Sequence, residues 1–156
     1  MNSPHTISAY ECIFEEGTLI EEWLLSISRL NSEGKVLHRE RYDKEGNLIK
    51  KDDYQYQGEL VSLSREEDLI EKSITKTVCE YLDDKLINQK EYFNDHLSIQ
   101  MVYIYDDQGQ LIQNDILNND GSLSSRYIFE YQNLPSSSKK TIESFFDEEL
   151  TLVRLT

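Results

Sequence analysis

At 156 residues the chain fits one domain, 1–156, long enough to bury a core. Thirty acidic residues against 16 basic ones give a formal charge of −14, which argues against nucleic acid or an anionic membrane as a direct partner and would steer a basic one. No apolar run reaches the ~18 residues that suggest a membrane-spanning helix. The opening Met1-Asn2-Ser3-Pro4-His5 lacks the basic-then-apolar pattern of a secretion signal, and Cys12 and Cys79 form neither a disulfide framework nor a metal-type spacing.

The expectation is a cytoplasmic, reduced protein with both thiols buried or half-buried in strands. In chain order, Thr6 to Phe14 alternate well enough for a first strand, and Glu15-Glu16-Gly17 turns it. Residues 18–30 carry two signals. Leu19, Ile20, Trp23, Leu24 and Ile27 have helical spacing, and Thr18 with Glu21 makes a capping box. Yet Trp23, Leu25 and Ile27 alternate, and turns bracket the segment. A strand with Trp23 as a core plug is favoured over a short helix at 19–30.

Leu30-Asn31-Ser32-Glu33-Gly34-Lys35-Val36-Leu37 then introduces a unit that recurs. It returns as Tyr42-Asp43-Lys44-Glu45-Gly46-Asn47-Leu48-Ile49, as Tyr105 to Ile112 and as Leu117 to Leu123. Asp or Asn opens a turn by hydrogen-bonding the backbone ahead of it, and Gly takes the positive φ that closes it. This is the recipe for a type I turn ending in a Gly bulge, a common hairpin connection. Shorter forms, Leu82-Asp83-Asp84-Lys85-Leu86, Phe93-Asn94-Asp95-His96-Leu97 and Phe146-Asp147-Glu148-Glu149-Leu150, predict two-residue loops. Tyr56-Gln57-Gly58-Glu59-Leu60 is intermediate. Val36, Leu48 and Leu60 sit 12 apart, as do Leu111 and Leu123, so the period is about 12 residues, one strand and one turn.

Leu48, Lys50, Asp52, Tyr54 and Tyr56 fall on one strand face, and His38 sits mid-strand among charges. Strand centres charged on both faces predict a thinly covered sheet held by side-chain ladders rather than a thick core. Ser64 to Leu69 reads as a turn and Ile70 to Tyr81 as a long strand. Residues 85–131, with Leu97, Ile99, Met101, Tyr103 and Tyr105 on one face, promise the better core. Pro135-Ser136-Ser137-Ser138 reads as a longer loop. Thr141 to Phe146 allows a short helix at 138–147, although the turn that follows favours a closing hairpin, and 150–156 would be an end strand. The predicted fold is all-β: an antiparallel meander of about 10–12 short strands, in a twisted open or partly rolled sheet.

No residue set names a reaction. His5, His38 and His96 lie far apart with no zinc-type spacing, His96 being read as an exposed turn residue. The glycines fall one per turn, so none forms a phosphate cradle. The acidic pairs are too many to single out a glycosidase dyad. No catalytic residue, cofactor or metal is implied.

The long turns, Tyr42-Asp43-x-x-Gly46-x-Leu48 and Tyr105-Asp106-x-x-Gly109-x-Leu111, resemble YD repeats of the Rhs type. The short ones, as in Tyr92-Phe93-Asn94-Asp95-His96-Leu97, resemble MORN-variant repeats of bacterial antitoxin or immunity proteins. The resemblance spans roughly 30–131 and departs from pattern at residues 85, 96 and 149, where the expected Gly is missing. It implies a non-catalytic immunity protein, monomer or dimer, that binds a basic toxin domain. Asp52, Asp53, Tyr54, Tyr56, Glu66, Glu67 and Asp68 are the candidate partner-binding residues, aromatic anchors beside charges. The alternatives are a scaffold module that self-associates through a sheet edge, and a small-molecule or glycan binder using the Tyr-rich face of 97–131.

Overall fold

The computed structural model describes residues 5–133, 139–147 and 152–155, and every element in it is a strand. They are β1 (His5–Glu15), β2 (Thr18–Leu30), β3 (Val36–Tyr42), β4 (Leu48–Gln57), β5 (Leu60–Asp68), β6 (Ser73–Leu82), β7 (Lys85–Phe93), β8 (His96–Tyr105), β9 (Leu111–Leu117), β10 (Leu123–Asn133), β11 (Lys139–Asp147) and β12 (Leu152–Leu155). Within β1–β5 and within β8–β12, spatial order follows sequence order. Both helical alternatives are overturned, since 19–30 lies in β2 and 139–147 is β11. The loop read at 135–138 and the turn positions 148–150 lie outside the described residues.

Packing divides the chain into two units, Met1–Thr77 with Phe93–Asp95, and Val78–Tyr92 with His96–Thr156. In the first, β1 to β5 form an antiparallel meander joined by the turns the sequence calls for. Asn31 and Asp43 each accept from the glycine three residues on (Gly34 N 3.1 Å, Gly46 N 3.0 Å) and donate to the carbonyl four residues on, at 2.9 Å. Asp43 Oδ1 also accepts from Asn47 N at 2.7 Å, and Gly46 takes φ +84°. In the second unit Asp106–Gly109 and Asn118–Gly121 repeat these bonds. The short turns Asp83-Asp84 and Asn94-Asp95 have positive φ at both central residues, the mark of type I′ hairpin loops.

The double signal over 18–30 has a physical cause. Consecutive Ala9 and Tyr10 oppose Ser26 and Leu24, and consecutive Ile13 and Phe14 oppose Glu21 and Leu19. Leu25 and Ile20 are therefore extra residues in two β2 bulges. Each bulge resets the alternation, which is why the apolar residues drift toward helical spacing.

Among the described residues neither unit has a thick core. Among the described residues Leu30 is the one buried large apolar side chain, beside buried Ser28, Asp52 and Ser125, and no large side chain is fully buried. The better core expected in 85–131 is absent from the described part of that stretch. Trp23 is half-buried, with Lys44 Nζ 5.2 Å above its ring, so it is covered by a cation rather than plugged into a core. Cys79 is half-buried as expected, but Cys12 is exposed, and both are free thiols. Among the described residues the exposed large apolar side chains concentrate on β1 and β2: Ile7, Tyr10, Ile13 and Phe14 are 44–62% exposed, Leu19, Ile20 and Leu25 join them, and every residue of β1 is exposed.

Candidate functional site

β3, β4 and β5 lie side by side in the first unit, and their register follows from the Asp43–Asn47 and Gly58-Glu59 turns. Arg39 pairs with Asp52 and Arg41 with Lys50, while Lys50 pairs with Asp68 and Asp52 with Glu66. Directly paired residues share a face. One face therefore carries Arg39, Arg41, Lys50, Asp52, Tyr54, Tyr56, Glu66 and Asp68.

An ion-pair ladder runs across that face. The Arg41 guanidinium donates to Asp52 Oδ1 at 2.8 Å and also to Glu66. Lys50 Nζ reaches Glu66 Oε1 and Asp68 Oδ2, both at 3.0 Å. Arg39 Nε donates to Ser28 Oγ at 3.2 Å, extending the ladder to β2. Asp52, 4% exposed, holds Arg41 by a single prong, since its Oδ2 and Arg41 Nε are buried atoms without a hydrogen-bond partner. Lys50 holds the Glu66 carboxyl below its ordinary range, Arg41 adding to the effect. Asp68 is lowered first by the Glu71 backbone N–H at 2.9 Å and then by Lys50, so it caps the β5–β6 turn as well as ending the ladder. Three cations face three carboxylates here, so this part of the face is charge-balanced.

The candidate residues therefore separate into two groups. Asp52, Tyr54, Tyr56, Glu66 and Asp68 share the ladder face, whereas Asp53 and Glu67 lie on the other. There Asp53 Oδ1 is 2.8 Å from His38 Nδ1, and Arg65 reaches Glu67 Oε2 at 3.4 Å and Asp53 Oδ2 at 3.9 Å. His38 is thus a ladder member, as its setting suggested. His96 is exposed but opens β8, just after the turn. The turn read at 64–69 is corrected: β5 continues to Asp68, and 69–72 make the turn. A charged run extends as strand here because Lys50, Arg41 and Arg65 on neighbouring positions satisfy it.

Arg41, Lys50 and Arg65, which organise both ladders, were not singled out by sequence. The signal was available in the turns, which fix which residues stand opposite one another. A second device also escaped the sequence reading. Tyr56 Oη donates to Val36 O at 2.8 Å, Tyr105 Oη to Leu86 O at 2.9 Å and Tyr131 Oη to Leu111 O at 2.8 Å. Each ties the end of one strand to the start of the strand before it. Lys35 and Lys85 lie over the first two of these rings, 5.6 and 5.5 Å from their centres.

In the second unit, Met101, Tyr103 and Tyr105 share a face with Ile116, Asn114 and Tyr127 by register. Burial raises the hydroxyl pKa of Tyr103 and of Tyr105. A shallow groove of about 290 Å³ here is lined by Leu82, Lys85, Ile87, Tyr103 and Tyr105 among others. Among the described residues no three His, Cys, Asp or Glu side chains converge as metal ligands.

No protein-family model matches the chain, and no curated protein matches it.

Proposed function

We propose that this chain is a non-catalytic binding protein of the immunity or antitoxin type, which neutralises a basic toxin domain in the cytoplasm. The observation that carries this reading is where the acidic excess lies. The β3–β5 ladder balances its own charges, so the surplus carboxylates stand elsewhere, on exposed turns such as Asp83-Asp84 and Asp107, and on the β1–β2 hairpin, where five glutamates face one arginine. A field of that sign speeds encounter with a basic domain and makes the encounter salt-sensitive. Tyr54 and Tyr56, flanked by carboxylates that Arg41 and Lys50 already hold in place, supply the anchors of a docked state. Basic side chains of the partner would compete with Arg41 and Lys50 for Glu66 and Asp68.

The test is affinity capture from the source cell's lysate at low salt, with elution at high salt. The expected product is one basic protein that stops growth when expressed alone and is harmless when co-expressed with this chain. Tyr54→Ala should weaken that pair roughly tenfold, the ~1–2 kcal/mol of an aromatic anchor. Glu67→Gln, on the opposite face, should leave the affinity unchanged. A captured protein without toxicity, or one whose binding ignores salt, overturns the proposal.

A further inference from the structure

We propose that β1 pairs antiparallel with β1 of a second copy of this chain, about a two-fold axis at Tyr10, so that two sheets continue into one. β1 is the first strand of the linear order and pairs with β2. All of its 11 residues are exposed. Edge strands are usually blunted by Lys, Pro, a bulge or shortness. β1 is 11 residues long and carries no Lys, no Pro and no bulge, both bulges falling on β2; its charges are Glu11 and Glu15.

What points to a second copy is the pattern of β1 itself. Read antiparallel about Tyr10, all of its residues find partners: His5 with Glu15, Thr6 with Phe14, Ile7 with Ile13, Ser8 with Cys12, Ala9 with Glu11. Each carboxylate meets a histidine or a methyl group, and each exposed isoleucine meets an isoleucine on the same face. A shift of the axis by one residue spoils this, setting Glu11 either against its own copy or against Ile7. Strands this long exchange roughly ten to twelve main-chain hydrogen bonds in the antiparallel pattern. The Ile7–Ile13 pairs on one face, and Tyr10 with Phe14 on the other, would lose their exposure. The interface is isologous, so it closes at two copies and builds no fibre.

The experiment reads both mass and register. Light scattering on the full chain should give twice 18.4 kDa, falling to one chain's mass in Ile7→Lys with unchanged far-ultraviolet circular dichroism. Ser8→Cys, made with Cys79→Ser, should oxidise to a dimer joined through Cys12 of the other copy, because the register sets those positions opposite each other. The two positions on one strand are too far apart to bridge internally. Ser8→Cys with Cys12→Ser should not crosslink. The proposal is overturned by a wild-type chain that stays monomeric at its highest soluble concentration. It is also overturned by an oxidised dimer that does not need Cys12, or by β1 pairing only with a strand of a basic protein added to it.

Discussion

At the scale of single residues, stability rests on polar groups that a thicker protein would place at its margins. Tyr56 is one: its ring lies under Lys35 and its hydroxyl holds the first carbonyl of β3. Tyr56→Phe keeps the ring and removes the bond, and should cost about 0.5–1.5 kcal/mol in denaturant unfolding. Tyr105→Phe and Tyr131→Phe, at equivalent positions, should cost similar amounts. The ladders also set a pH dependence. Glu66, Asp68, Glu40 and Asp115 are all held below their ordinary range, by Lys50, the Glu71 N–H, Tyr42 and Arg126 respectively. A carboxyl lowered in the folded state contributes stability that is complete above its unfolded pKa and is lost as the pH falls through the folded one. The melting temperature should therefore be flat from neutrality down to about pH 5 and drop below the ordinary carboxylate values of 3.8–4.5. A melting temperature that held or rose on acidification would show that relief of repulsion among the 30 acidic residues outweighs the ladders.

At the scale of elements, the turns govern the strands. In the Asn94-Asp95 loop both residues adopt positive φ, Asp95 at 65°, where a residue with a Cβ is strained. Asp95→Gly makes the favoured Asn-Gly pair and should raise stability by up to about 1 kcal/mol, read from the midpoint of chemical unfolding. Because such turns have strong chemical signatures, most hairpins of the fold were legible: Asn31, Asp43 and Asp106 open their turns with side-chain oxygens that accept from the backbone ahead. In the Asn118 turn Asp120 Oδ1 takes that part, accepting from Ser122 N. What stayed hidden was where turn chemistry is absent or alternation is broken. Leu25 and Ile20 sit in bulges that periodicity cannot reveal, and Glu66 to Asp68 looked like a loop because their neutralising cations come from β3, β4 and β5 positions not read together. The candidate site was half legible for the same reason. Alternation put Asp52, Tyr54 and Tyr56 on one face, but only the register of β5 separates Glu66 and Asp68 from Glu67.

At the scale of the whole molecule, the scarcity of buried apolar surface has a thermal consequence. Exposure of apolar area dominates the heat capacity of unfolding, normally about 12–15 cal/mol/K per residue. With Leu30 the one buried large apolar residue among those described, calorimetry should give a value below that range and a correspondingly flatter stability curve. The linear strand order bears on kinetics too. Within β1–β5 and within β8–β12 each strand hydrogen-bonds to its neighbours in sequence, so both stretches have a low contact order for all-β structure, and their assembly closes only short loops. Folding can start at any well-made hairpin and spread strand by strand, without the long search that slows sandwiches and barrels.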